Sequence, residues 1–553
     1  MAMACFTCLV GGTLLFTPDI FVSRYTTSPA IWLQCGLGIW LLTYLLFKKG
    51  DMKLPSPGYT ALVLAWACYR LTRGNWSFET LVNLLTGIIA FFLFYSLWKE
   101  KPRENAVFGV FLSLGIVLSA WGILQYVGWV PKPYSAFTMT GPFNNPAGIT
   151  AALALLYPFS FYFCCKWKGK ARWASIFFSL LLAGAVILSG ACAAMLAITI
   201  ATLLFAIHLL KKRKDIKLSL LHHGIMALAF TLLLGGLYFM KKDSADGRLL
   251  IWHCSGQLVK QAPLFGHGNN GFTAGYMVTQ ANYFSQYPGS KYAMLADNVR
   301  HPFNEFIKEM AEYGIIGLLL STMLVIIPLY NSRKDKSTGL SVARLSLLSI
   351  GICLFFSYPL DYPFILLMVI MLTAFVSASV EMANITVSNF ISLKILFAAC
   401  SLILFTATAY QVYSERKWKI IARESLAGHT KEMLPEYDNL YKNTYLGKNG
   451  LFLYNYGAEL NHIGRYKGSN QALLLCSKYM NDYDVQMLLG NNYERLDNRE
   501  LAEKHYSLAH EMIPVKFMPL YALTKHYERT GQKEKAHAIA EEIMNKKVKM
   551  SPL

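Results

Sequence analysis

Apolar runs dominate the first three quarters of the chain. They fall near 3–22, 29–47, 57–72, 80–98, 106–127, 147–165, 173–190, 192–210, 220–240, 312–330, 343–359, 362–380 and 391–411. Each is long enough, or nearly so, to cross a bilayer, which takes about 20 residues. The pattern predicts twelve or thirteen membrane helices. After residue 411 the chain turns polar and keeps a helical period. Two polar interruptions are longer than a turn requires, at 128–146 and at 241–311, and the second is too long for a simple connector.

The polar tail contains a repeat. In LGNNYERLDNRELAEKHYSLAHEMIP (489–514), Leu489, Gly490, Tyr493, Ala502, Tyr506, Ala509 and Pro514 sit at the offsets of a tetratricopeptide repeat. Leu523, Tyr527 and Ala536 recur 34 residues after Leu489, Tyr493 and Ala502. FLYNYGAELNHIGRYKGSNQAL (452–473) reads as a degenerate earlier copy. The expected fold is an all-α, polytopic membrane helix bundle over 1–411, with a large loop at 241–311. A soluble α-solenoid of tetratricopeptide-like repeats follows over 412–553. Such repeats stack into a concave surface for protein contact; the plainer alternative is a cap that stabilises the membrane part.

Composition agrees with a membrane protein: 54% of the 553 residues are hydrophobic and 15% charged. The net charge of +20 would suggest nucleic acid in a soluble protein. Here it follows topology. KKGDMK, KEKPRE, KWKGKAR, KKRKDIK and SRKDKSTGLSVAR, which lie on alternate connections, hold most of the Lys and Arg between the spans. By the positive-inside rule these are cytoplasmic. The loops 128–146 and 241–311, and all that follows 411, are then outside. Most cysteines lie in apolar runs and read as small buried hydrophobes. The Cys5-x-x-Cys8 pair has no partner pair.

Three outward segments carry candidate chemistry. RLLIWHCSGQLVKQ (248–261) places Leu249, Ile251 or Trp252, and Leu258 at helical spacing, and reads as an amphipathic helix lying on the membrane surface. GHGNNG (266–271) lacks the strand–helix unit of a dinucleotide site, so its glycines serve turns. HPFNEFIKEMAEYGIIG (301–317) places His301 just before a helix whose polar face carries Asn304, Glu305, Lys308, Glu309 and Glu312. The helix dipole and Arg300 both disfavour an imidazolium there. His301 is then suited to general-base work, or it is an interfacial histidine that only hydrogen-bonds. Asn144 and Asn145, in TGPFNNPAG, either bind a ligand or start the next helix. Asp482 and Asp484 form a D-x-D that reads as a turn rather than a metal site.

TGPFNNPAG, GR-x-x-x-W with PLFGHGNNGF, and H-x-F-N-E-F…E-x-G-I-x-G occur in an order and topology that resemble the O-antigen ligase, O-antigen polymerase and bacterial O-oligosaccharyltransferase superfamily. The resemblance covers roughly residues 60–380. It implies a GT-C-like inner-membrane glycosyltransferase, inverting and without metal or other cofactor, that passes a glycan whole from undecaprenyl diphosphate to a hydroxyl. The acceptor would be the lipid A core or a protein Ser/Thr at the periplasmic face of a Gram-negative cell. Membrane lipid is a further contact and nucleic acid is not. By position, the resemblance implies His301 as base and Arg248 as the cation on the leaving diphosphate. Arg300, Asn304, Asn145, Asn144 and Trp252 would bind substrate. The sequence departs from the family at 188–196 (LSGACAAML), where Cys192 stands in place of an expected arginine; Arg300, Lys291, Arg70 and Arg73 are candidate replacements. Alternative readings are a polymerase that extends the glycan and a transporter of the same lipid. A transporter would favour charges within spans and internal symmetry.

Overall fold

In the computed structural model the protein is mostly helical. The structure describes residues 2–47, 51–74, 76–100, 103–133, 137–213, 235–236, 238–239, 241–380, 385–387, 390–547 and 549. The first helices are α1 (Ala2–Leu15), α2 (Arg24–Phe47), α3 (Pro57–Arg73), α4 (Phe78–Glu100) and α5 (Glu104–Tyr126). The expected span at 147–165 is two helices, α6 (Pro146–Leu156) and α7 (Pro158–Lys166). Pro158 has no N–H to continue the ladder, so the chain breaks there. Next come α8 (Gly169–Leu188) and α9 (Cys192–Arg213). The expected span at 220–240 lies almost wholly outside the described residues.

Two helices occupy the long loop, α10 (Lys242–Gln261) and α11 (Gly271–Gln286). The chain re-enters the apolar bundle through α12 (Glu305–Asn331), α13 (Thr338–Leu354) and α14 (Pro363–Ser379). A long helix, α15 (Phe390–Glu424), packs on α2 and leads out of the bundle. Among the described residues, seven stretches are long and apolar enough to cross a membrane: Phe78–Lys99, Glu104–Tyr126, Pro146–Lys166, Gly169–Leu188, Cys192–Leu209, Glu305–Lys334 and Lys394–Asn443. Three shorter apolar helices accompany them, at Met3–Leu15, Thr338–Leu354 and Pro363–Ser379. One short antiparallel pairing, Met52–Leu54 with Ile385–Val387, is registered with Met52 opposite Val387.

The C-terminal helices are α16 (Thr430–Asn443), α17 (Gly450–His462), α18 (Tyr466–Cys476), α19 (Tyr483–Arg495), α20 (Arg499–Met512), α21 (Met518–Arg529) and α22 (Lys533–Asn545). They pack in pairs, α17 on α18, α19 on α20 and α21 on α22. Small residues allow the close approach: a Cβ at Gly490 would lie 2.5 Å from the Tyr506 ring.

One expectation changes here. The apolar face of α10 is not left for a membrane surface. Leu250, Ile251, Cys254 and Leu258 are buried in one cluster with Phe272, Tyr276 and Met277 of α11 and with Ala509, Met512 and Ile513 at the end of α20. Periodicity says that a face is covered, not what covers it. The loop helices and the C-terminal helices therefore share a core, to which each buried Leu, Ile, Phe or Met contributes about 1.5–3 kcal/mol by leaving water.

Candidate functional site

α12 is interrupted at Gly314, whose φ of 66° and ψ of −171° belong to a region open essentially to glycine. The break frees two carbonyls and two amides, and residues 263–268, which lead into the GHGNNG turn, take all four. His267 N donates to Ala311 O (2.9 Å) and Gly268 N to Glu312 O (2.8 Å). Ile315 N and Ile316 N donate to Pro263 O (2.9 Å) and Leu264 O (3.4 Å). Gly266 (φ 65°) and Gly268 (φ 87°) supply the turn's left-handed positions. The glycines serve geometry, as the sequence implied. Arg73 ties the same loop to α3 by donating to Phe265 O (3.1 Å) and Gly266 O (2.9 Å).

Asn304 caps α12, accepting from Phe306 N (3.0 Å) and Ile307 N (3.1 Å). It is buried and its carbonyl oxygen is committed to this cap, as expected of such a residue before a helix. The polar face of α12 is partnered rather than solvated. Arg70 chelates both Glu309 oxygens (2.9 and 3.0 Å), and Lys308 Nζ reaches Asp361 Oδ1 at 2.6 Å.

His301 lies just before that cap. Its ring stacks on Tyr358, with centroids 4.1 Å apart and planes at 14°. Its Nδ1 sits 3.1 Å from Asp361 Oδ2, close enough for an ion pair but too bent for a good hydrogen bond. This contact favours the tautomer protonated at Nδ1, which leaves Nε2 as the basic nitrogen. Burial opposes the charge of Asp361, but Lys308 and then His301 outweigh it and hold the carboxyl well below the usual carboxylate range. A lowered pKa means the charge is present above the ordinary carboxylate range and is lost only as pH falls through the lowered value. From neutrality down to about pH 4 the Asp361 charge therefore persists, and any acid limb of the rate profile in that window reports another group. Asp361→Asn is expected to lower the transfer rate about 100-fold at neutral pH with little change in donor KM. A kcat within about twofold of wild type would contradict this placement of Asp361.

The turn at 141–146 closes the site from another side. Asn145 caps α6 by accepting from Gly148 N (3.0 Å) and donates to the hydroxyls of Tyr358 (2.7 Å) and Tyr362 (2.9 Å). Tyr362 in turn donates to Asn144. Asn145 thus holds Tyr358, the tyrosine that stacks on His301, and both asparagines hold Tyr362. The fourth wall is α10. Trp252 Nε1 donates to Pro302 O (3.0 Å), and Arg248 lies over the Phe303 ring, 5.7 Å from its centroid. Phe303 meets Tyr358 edge-on at 5.4 Å. Burial pulls the Arg248 guanidinium down from its ordinary value, and Cys192 is near enough to influence it; arginine stays charged through such shifts. Among the described residues no carboxylate pairs with Arg248. A half-buried, unpaired cation is costly unless an anion visits it.

The structure brings together most of the residues singled out from sequence. His301, Asn145, Trp252 and Arg248 meet around Tyr358 and Phe303, and Asn144 joins them through Tyr362. Arg300 turns the other way, onto Asp482 at 3.2 Å. Sequence reasoning missed Asp361, Tyr358 and Tyr362. The available signal was YPLDYP (358–363), a polar break between two apolar runs. It also missed Lys241. A Cβ at Gly190 would lie 3.7 Å from Lys241 Nζ, which puts an ammonium over the turn where the family arginine was expected. Of the other candidates for that role, Arg70, Arg73 and Arg300 are engaged as described, and Lys291 lies over the Tyr292 ring.

Residues 177–322 match the family model described as O-antigen ligase. The chain carries an O-antigen ligase domain. Proteins of this family are membrane glycosyltransferases of the O-antigen ligase and polymerase type, acting on lipid-linked glycans. The matched segment of the O-antigen ligase domain includes Cys192, Arg248, Trp252, His301 and Gly314. Tyr358 and Asp361, which hold the histidine, and Asn144 and Asn145, which hold Tyr362 and Tyr358, lie outside it. No curated protein sequence matches the chain.

Proposed function

We propose that this protein transfers a glycan whole from undecaprenyl diphosphate to a hydroxyl on the periplasmic face, the acceptor being a lipid A core sugar or a protein Ser/Thr. The observation that carries this reading is the pairing of a carboxylate-oriented imidazole with an unpaired, half-buried guanidinium around Phe303. Nε2 of His301 takes the proton of the acceptor hydroxyl as its oxygen attacks C1 of the sugar. The bond from C1 to the diphosphate oxygen breaks, and the electron pair leaves with the diphosphate. Its growing charge meets Arg248, whose fixed donors match phosphate oxygens, and Lys241 adds a second cation beside the Gly190 turn. Attack opposite the leaving group inverts the anomeric centre. The geometry also supports the proposed topology: the three segments that the charge rule assigns to the outside meet in one place.

The test is a glycan blot of the host with and without the gene, run before and after protease digestion. Loss of protease-resistant, lipid-linked bands identifies a lipid A core acceptor, and loss of protease-sensitive bands identifies a protein acceptor. An unchanged blot contradicts the proposal. Complementation with Arg248→Ala is expected to leave the deletion pattern in place. Arg248→Lys restores only part of the signal, because an ammonium keeps the charge but loses the fork of donors.

A further inference from the structure

The segment that presents His301 is irregular. Between the short turn of helix at Ala293–Leu295 and the cap at Asn304 there is neither helix nor strand. Phe303 adopts a φ of 52°, a conformation costly for a bulky residue. Such a backbone persists only where its surroundings impose it. Its side chains divide in two directions. His301 and Phe303 go to the site, whereas Asn298 and Arg300 go to the turn that opens α19.

That turn is YMNDYD (479–484), and its two aspartates are the D-x-D of the sequence. Asp482 is nearly buried. One oxygen caps α19 by accepting from Val485 N (3.2 Å), and the other accepts from Arg300 Nη2 (3.2 Å). Asn298 donates to Asp484 Oδ2 (2.9 Å) and accepts from Tyr483 N (3.2 Å). The same turn is anchored to α11: Asn481 N donates to Thr273 O (3.0 Å), and Thr273 Oγ1 donates to Tyr479 O (2.6 Å). Lys549 Nζ donates to Ala296 O (3.2 Å) at the start of the segment. The C-terminal helices therefore grip the His301 segment from behind, at alternate residues, while Trp252 holds Pro302 from the side.

We propose that Asp482 is a positioning residue for His301: through Arg300, and together with Asn298 on Asp484, the turn before α19 fixes segment 296–304 so that the imidazole faces the acceptor. This rests on the reading of His301 as the base. It makes the C-terminal helices part of the catalytic unit and not only a surface for partners.

Asp482→Asn separates the two tasks of this carboxylate. Asparagine caps a helix as well as aspartate does, but it gives Arg300 no charge to hold. The full-length enzyme in lipid nanodiscs would be assayed with the host's own undecaprenyl-diphosphate glycan and extracted acceptor, alongside amide exchange by mass spectrometry. In Asp482→Asn, kcat is expected to fall about 10- to 100-fold, the cost of misplacing a reacting group by an ångström or less. Donor KM stays within about twofold. Exchange rises in 296–304 and not in 483–512, and Asp482→Glu recovers most of the rate. Wild-type kcat in Asp482→Asn would overturn the proposal. So would a loss of rate accompanied by faster exchange throughout 483–512, because the helices themselves would then have loosened. His301→Ala, assayed in parallel, separates the two readings. If it is inactive while Asp482→Asn is fully active, only the positioning role fails; if it is fully active, the base reading fails.

Discussion

Replacing His301 with alanine is expected to lower transfer by about three orders of magnitude, within the range a positioned general base contributes, while leaving the protein folded. Both halves of that expectation come from the same geometry. The side chain is 34% exposed and fills no core position. Removing it leaves Asp361 paired with Lys308 at 2.6 Å, so no buried charge is stranded. What is lost is an imidazole held by Asp361 at Nδ1 and by Tyr358 across its ring, with Nε2 left as the base. Rates of single-turnover transfer, with thermal unfolding of the purified variant, check this. A variant that unfolds earlier and is inactive would point to a structural histidine. One that is stable and fully active would remove His301 from the chemistry.

The second large effect is expected at Gly314. Alanine there must adopt a backbone conformation that costs it about 1–3 kcal/mol, and its Cβ would stand 2.2 Å from Leu264 O. The contact is with backbone, so no side chain can swing aside. Either the break straightens, and segment 263–268 loses the four hydrogen bonds that seat it, or that segment is pushed off α12. Both outcomes move the first turns of α12, which carry the Asn304 cap and Lys308. Gly314→Ala is expected to cut the yield of folded protein sharply and to expose 263–268 to protease. It should also abolish transfer. An enzyme with wild-type stability and rate would show that the break in α12 is dispensable. Gly266 answers Gly314 from the other side, with a Cβ that would lie 2.4 Å from the Glu312 backbone.

Much of this arrangement was legible in the sequence, and the exceptions have physical causes. Apolar length located the helices of the bundle, because a span must be continuous in sequence. The start of α12 was legible from helical spacing to within a residue or two; Asn304, read as part of its polar face, is instead its cap, bonding to amides two and three residues on. The glycines of GHGNNG could be assigned to a turn, but that the turn fills a break in a distant helix could not. Asp361 was invisible for the same reason. It meets His301 across 60 residues of chain, and its only local sign is a polar break between two apolar helices. The polar face of α12 was read correctly as polar; that Arg70 and Asp361 would partner it depends on packing. α10 shows the converse. Its apolar face was evident, but a 3.6-residue period cannot distinguish a membrane surface from Met512 and Ile513 of the same chain. The charges near His301 in sequence are its own helix dipole and Arg300. Arg300 is turned onto Asp482, and the charge that faces the ring, Asp361, comes from elsewhere.

The proposed chemistry makes one stereochemical commitment. If His301 deprotonates the acceptor for a single displacement at C1, with Arg248 on the departing diphosphate, the anomeric configuration must change once. The most direct measurement is the configuration of the transferred linkage, read from one-bond carbon–proton couplings in the product and compared with the lipid-linked donor. Inversion is the result expected of this site. Retention would require a covalent intermediate or a second displacement, and would contradict the assignment of His301 as the base of a direct transfer.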